Sequence, residues 1–230
     1  MNGPLEVNQI ISYRDMCNIE NQETMQRGMN FMMGGDYSVI LMSIKPNAPY
    51  QDRISEDGQT IFYEGHDLTG DRYKREDQPK ATHLGTLTQN GLFAHAIDKG
   101  KRAMELPIAR VYEKLQPGIW NYRGLFEMAD YGFIQRGERK VFEFRLHISD
   151  KSVGGQRIAQ SLEQTRQIPG RVKLEVYKRD KGMCRKCGSK DNLHFDHILP
   201  FSLGGTSVTT ENIQLLCARH NLEKSDSLTK

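Results

Sequence analysis

The chain is poor in the features that mark membrane and secreted proteins. No apolar run in its 230 residues approaches the roughly twenty that a membrane helix needs. Met1–Ile10 has no basic start followed by a long apolar stretch, so no signal peptide is expected and a cytoplasmic location follows by default. Trp120 is the single tryptophan, and hydrophobic residues make up 37% of the chain, which suits a globular protein with a modest core. Repeats and low-complexity tracts are missing as well. The length allows two small domains or one large one. Cysteines number only four, and three of them, Cys184, Cys187 and Cys217, lie within the last 47 residues. In a cytosolic chain that clustering favours metal over disulfide chemistry. Cys17 stands apart and reads as a small buried side chain.

The net charge of +3 hides an uneven distribution. Residues 151–230 hold 14 Lys and Arg against 8 Asp and Glu, while the residues before them hold 18 against 21. A basic C-terminal third is what phosphate binding asks for, though a basic domain can also be merely soluble.

Hydrophobic patterning gives a mixed α+β chain. A short helix is expected around Arg14–Ile19. YSVILMSI, residues 37–44, reads as a buried strand, Thr60–Tyr63 as a second, and Leu87–Lys99 as a helix. Three further strands are expected at Ile108–Lys114, Gly124–Tyr131 and Arg139–Ile148. Lys45–Gly58 and the charged stretch Glu64–Lys80 read as loops. Together these predict a curved sheet or partial barrel over residues 1–148. Residues 149–165 are polar and Gln-rich, a linker with a short helix, and a second domain covers residues 166–230.

That second domain carries the chemistry. Cys184-x-x-Cys187 is followed, after 29 residues, by Cys217-x-x-His220. Two such pairs supply the four soft or borderline ligands of a closed tetrahedral zinc site. Between them runs LHFDHILPFSLGG, then Asn212 within ENIQLLC, and Asn221 follows His220. This order resembles the HNH nuclease family, with its zinc-stapled ββα-metal fold, over about residues 166–230. The resemblance makes His197 the general base, Asp196 and Asn221 the ligands of a catalytic Mg²⁺ or Mn²⁺, and Asn212 the amide that braces the loop carrying the base. Hydrolysis of a phosphodiester needs such a base and such a cation. His194 is a spare ligand, a DNA contact or neither. Arg219 and Lys224 are candidate phosphate contacts or solvated surface charges.

The first domain shows a looser series of landmarks: YSVILMSI, TIFYEG, Asp77-Gln78, Thr88-Gln89-Asn90, IARVYEK and NYRGLFEMADY. Over about residues 25–148 this is similar to the SRA domain, a PUA-like fold that binds 5-methylcytosine DNA by flipping the base out. The family's Tyr-Asp-Gly is replaced here by Tyr122-Arg123-Gly124, and the loop between Tyr50 and Tyr63 is one residue longer. The resemblance implies that Tyr50 and Tyr63 sandwich the base. Asp52 would accept from the cytosine amino group, with Arg53 at the competing register. Arg72, Lys74 and Arg75 would reach phosphates or the vacated stack. A strand tyrosine in the core is the other reading of Tyr63.

The joined expectation is a modification-dependent, type IV restriction endonuclease for double-stranded DNA carrying 5-methylcytosine or 5-hydroxymethylcytosine. One nuclease site per chain implies a homodimer or repeated nicking. Two other classes stay open: an HNH nuclease of a phage or mobile element with a different target, and a non-catalytic DNA-binding protein that keeps only the zinc fold.

Overall fold

A computed structural model describes residues 5–33, 35–45, 48–70, 74–149, 168–200 and 203–228, with side chains through residue 224. The helix expected within the 149–165 linker falls outside these residues, apart from Ser149. Ten strands and four α-helices are described. The chain divides into two compact units, and their bounds cross the expected cut at 148. One unit comprises Met1–Glu23, Glu113–Arg123 and Ile158–Lys230, and the other Thr24–Tyr112 and Gly124–Arg157. The N-terminal segment and a hairpin tip thus group with the C-terminal module.

The sheet unit is built on β2 (Met29–Asn30), β3 (Ser38–Met42), β4 (Arg53–Ile54), β5 (Thr60–Glu64), β6 (Ile108–Gln116), β7 (Ile119–Arg136) and β8 (Arg139–Ile148). Their order is β2-β3-β6-β7-β8-β5-β4. Strand β7 pairs antiparallel with β8, and a bulge between Met128 and Asp130 shifts the register. Helix α2 (Gln89–Ala103) starts at Thr88, whose side chain accepts from the Gly91 amide, and stops at Met104 in the left-handed region. Its Phe93, Ala94 and Ile97 share a core with Ile40, Ile61, Tyr63, Val111, Phe126, Phe142 and Phe144. Alternate residues of β5, Ile61 and Tyr63, therefore face inward, as a two-residue period demands.

The other unit contains β1 (Ile10–Ser12), α1 (Tyr13–Ile19), α3 (Gly170–Arg179), β9 (Leu193–His197), β10 (Ile213–Cys217) and α4 (Ala218–Leu228). Strand β1 pairs with the start of β7, placing Ile10 opposite Asn121 and Ile11 opposite Trp120. Ile168, Val172, Val176, Leu193, Phe195, Ile213, Leu215 and Leu216 form the core with Leu115, and Ile10 and Ile119 pack against it. Arg123 finds its partner here: its Nη1 lies 3.1 Å from Glu113 Oε2 and donates to the Ile168 carbonyl. Lys173, equally buried, donates to Asn121 and lies 3.6 Å from Glu113. Removing one member of such a buried set strands the others' charge, which costs about 3–5 kcal/mol.

Among the described residues no helix is long and apolar enough to cross a membrane.

Candidate functional site

The four ligands proposed for zinc come from three local structures. Cys184 and Cys187 flank a tight turn closed by the Gly188 amide on the Cys184 carbonyl. Cys217 ends β10, and His220 lies in the first turn of α4. Their ligand atoms all lie within 4.8 Å of one another. Cys187 Sγ is 3.8 Å from Cys217 Sγ, and His220 Nδ1 is 3.4 Å from the sulfurs of both Cys184 and Cys217. A tetrahedral zinc with ordinary bond lengths sets two sulfurs about 3.8 Å apart and a sulfur and nitrogen about 3.5 Å apart. The Cys3His group therefore has the spacing of a structural metal site. Burial alone raises the Cys184 thiol, but the backbone amides of Cys217, Cys187 and Lys186 and the His220 ring outweigh it and hold the thiol down at about 6. No disulfide joins any of the four cysteines.

Strands β9 and β10 form an antiparallel pair with His197 opposite Ile213 and Asp196 opposite Gln214. Alternation puts the two neighbouring side chains on opposite faces. The intervening loop is held by Asn212, whose Oδ1 accepts from the Leu199 amide while Nδ2 donates to the carbonyls of Leu199 and Thr206. Gly205 is needed in this loop: a Cβ there would meet the Leu199 carbonyl oxygen at 1.8 Å. His197 Nε2 lies 2.8 Å from Ser207 Oγ. Asp196 Oδ2 accepts from Gln214 Nε2 at 2.9 Å and from Lys224 Nζ at 2.7 Å. Lys224, a candidate phosphate contact, bonds this carboxylate and the His197 carbonyl. Asn221 sits half-buried on α4, one turn before Lys224. Arg219 is exposed and lies 3.7 Å from Glu223. His194 is buried at 3% exposure, with Nδ1 3.6 Å from Glu6 Oε2, and burial presses its imidazole down to about 4.

The expected base-reading residues lie in the sheet unit. Tyr63 is 1% exposed, within the core, and its hydroxyl lies 2.9 Å from His66 Nε2. Tyr50 stacks on His66, with ring centroids 4.9 Å apart and planes 13° from parallel. The sequence reading passed over His66, although it directly follows the TIFYEG landmark. Asp52 uses both carboxylate oxygens on backbone amides, Oδ2 on Ser43 and Oδ1 on Glu64, and so ties the end of β3 to β5. Arg53 turns away to Glu143 and the Phe62 ring. Lys74 and Arg75 are exposed, and Arg72 lies outside the described residues.

Burial pushes the Asp52 carboxyl up to about 7, against the pull of its two amide donors. Between about 4 and about 7 the native carboxyl keeps a proton that the unfolded chain has released. This contribution to stability is full below the ordinary carboxylate range and is lost as the pH rises through 7. The stability advantage of the native chain over Asp52→Ala should therefore shrink across that window. Urea midpoints at stepped pH measure it, and an advantage that holds constant or grows contradicts the assignment.

A β-hairpin running into a helix, with a Cys3His group that could hold a metal and with a carboxylate and an imidazole at successive positions of its first strand, is the arrangement of a ββα-metal nuclease module. Residues 184–227 match the model of the HNH endonuclease family. Curated proteins give no match. Among solved structures, the chain is similar to the SUVH5 SRA domain in complex with hemimethylated CG DNA, at 21% identity over 70% of this chain and 97% of that one, TM-score 0.43. It is also similar to SUVH5 SRA bound to fully hydroxymethylated CG DNA, at 20% identity over 70% and 97%, TM-score 0.43. SUVH6 of Arabidopsis thaliana, in complex with SAM, gives 21% identity over 74% and 28%, TM-score 0.41.

Proposed function

We propose that this chain is a modification-dependent endonuclease that reads 5-methylcytosine or 5-hydroxymethylcytosine in double-stranded DNA and hydrolyses a nearby phosphodiester, in the manner of type IV restriction. The observation that carries the nuclease half is the β9–β10–α4 module, with Asp196 and His197 adjacent on β9 beside the Cys3His group. The metal in that group is zinc, and its role is structural. His197 acts as general base. Its Nε2 lies 2.8 Å from Ser207 Oγ, and in the tautomer that donates to this hydroxyl Nδ1 is the atom that takes the proton from water. Asp196 and Asn221 would hold Mg²⁺ or Mn²⁺, whose oxygen preference suits both. That ion supplies charge neutralisation at the phosphate. Asp196 Oδ2 is paired with the Lys224 ammonium at 2.7 Å, so a divalent ion at this place displaces that ammonium. Asn212 keeps the loop after β9 in shape.

The reading half rests on the ordered landmarks of residues 25–148 and on what they do locally. Thr88 caps α2, Gln89 accepts from the Phe31 amide, and Asn90 binds the backbone of His66. Asp77 and Gln78 fasten their segment to β8 through the amides of Lys140 and Phe142. Together they set Tyr50, Tyr63 and His66 in one aromatic cluster. A flipped base needs π-faces to recover its unstacking cost of a few kcal/mol. The chain works as a homodimer or by repeated nicking, because each copy brings one nuclease site.

The test is cleavage of matched plasmids carrying cytosine, 5-methylcytosine or 5-hydroxymethylcytosine with Mg²⁺ or Mn²⁺. Cutting confined to modified plasmid is expected. Equal cutting of all three would leave an HNH nuclease with another target. One observation favours the non-catalytic alternative: Lys224 and Gln214 both occupy Asp196 Oδ2, the oxygen offered to the ion. No cutting of any plasmid, by protein free of chelator, would decide for it.

A further inference from the structure

We infer that the second aromatic wall of the modified-base slot is His66, standing opposite Tyr50, and that Tyr63 is the residue that positions it. The inference rests on the modified-cytosine reading and changes which ring the base would touch.

A ring can stack on a base only if one of its faces can be reached. Tyr63 fails this condition. It is 1% exposed and belongs to the core with Ile61, Phe93 and Phe144. Only its hydroxyl reaches toward the slot, and that hydroxyl meets His66 Nε2 at 2.9 Å. Relative to His66 the Tyr63 ring is tilted by 39°, at a centroid distance of 6.1 Å, whereas Tyr50 and His66 are within 13° of parallel. Parallel faces are what a planar base requires on its two sides.

His66 is also fixed as a wall must be. Its backbone N–H donates to Asn90 Oδ1 at 2.9 Å, and its carbonyl accepts from Asn90 Nδ2 at 2.8 Å. The preceding Gly65 carbonyl accepts from Gln78 Nε2. On the far side, Gly28 leaves no slack: a Cβ there would stand 2.6 Å from His66 Nε2 and 2.5 Å from the Tyr63 hydroxyl. Tyr50 is tied through its hydroxyl to the Asp67 backbone. Admitting a base means parting the two rings by about its own thickness, roughly 3.4 Å, the rise of one stacked base pair. The ring that gives way is Tyr50, and His66 stays. Burial also presses the His66 imidazole down to about 4, so at neutral pH it offers an uncharged π-face.

The test uses the full chain without added divalent ion. It compares dissociation constants for otherwise identical duplexes carrying 5-methylcytosine or cytosine. His66→Leu keeps bulk and removes the π-face, and His66→Ala removes both. Each should lower the preference for the modified duplex about tenfold, the scale of losing one aromatic face on a base, while leaving the salt-dependent binding of the unmodified duplex unchanged. Tyr63→Phe keeps the core ring and loses the hydroxyl that orients His66, and should lower the preference less, about threefold. A full preference retained by His66→Leu, with an unchanged melting temperature, overturns the inference and leaves the reading intact. Tighter binding by either His66 variant overturns it too, because the ring would then be a plug. A wild-type chain with no preference between the duplexes overturns the modified-cytosine reading and this inference with it.

Discussion

His197→Ala should lower cleavage about 10²–10⁴-fold, the usual worth of a positioned general base, while DNA binding persists. The geometry makes this variant informative. The His197 ring meets Ser207 in a loop held by Asn212, and its loss is expected to leave the β9–β10 pair and the Cys3His group in place. Single-turnover cleavage of modified plasmid gives the rate, and a mobility shift on the same DNA gives the binding. Asp196→Ala should cut the rate comparably through loss of the divalent ion. It should also free Lys224 and Gln214, so a small change in stability is expected alongside. Wild-type cutting by His197→Ala, in protein free of contaminating nuclease, would remove the general-base role.

Cys187→Ser should abolish metal retention and unfold the nuclease unit. Binding energy at structural zinc sites runs to about 10–16 kcal/mol and is folding energy, against about 5–15 kcal/mol for the total stability of a typical domain. The reporter is built in. Trp120, the single tryptophan, is 7% exposed and lies in this unit opposite Ile11 of β1. Its emission should shift to the red in Cys187→Ser while the circular dichroism of the sheet unit remains. Elemental analysis of the native chain should give about one zinc per chain. Native chain without zinc, or a Cys187→Ser variant with unchanged Trp120 emission, would contradict the assignment.

Much of this was readable from residue order alone, for identifiable reasons. Tyr37–Ile44, Ile108–Lys114 and Arg139–Ile148 are dense in β-branched and aromatic residues, and all three contain strands. The helix expected at Leu87–Lys99 runs Gln89–Ala103, since Thr88 supplies the cap. The paired Cys and His were plain because metal ligation fixes spacing within each pair. What stayed hidden depends on contacts distant in sequence. Nothing in the pattern of Ile10, Leu115 or Ile119 ties them to Leu193 and Leu215, so the cut at 148 missed residues that pack with the C-terminal core. The buried set of Arg123, Glu113 and Lys173 likewise joins residues far apart in sequence, and no local pattern announces it. Tyr63 matched a landmark as a base wall and had a strand tyrosine of the core as its other reading, and its two-residue period with Ile61 agrees with the core position. His66 could have been noticed as an imidazole immediately after a Gly that admits no side chain: a Cβ on Gly65 would meet Asn90, Gln78 and Phe142.

The nuclease unit is assembled from three separated stretches, Met1–Glu23, Glu113–Arg123 and Ile158–Lys230. The cutting module is therefore not a detachable cassette. A fragment begun at residue 166 would leave behind Ile10, Leu115 and Ile119, and would leave Lys173 with neither Glu113 nor Asn121. Synthesis adds a timing consequence. Cys217 and His220 follow the sheet sequence in chain order, so the metal group cannot close until the whole sheet sequence has been made.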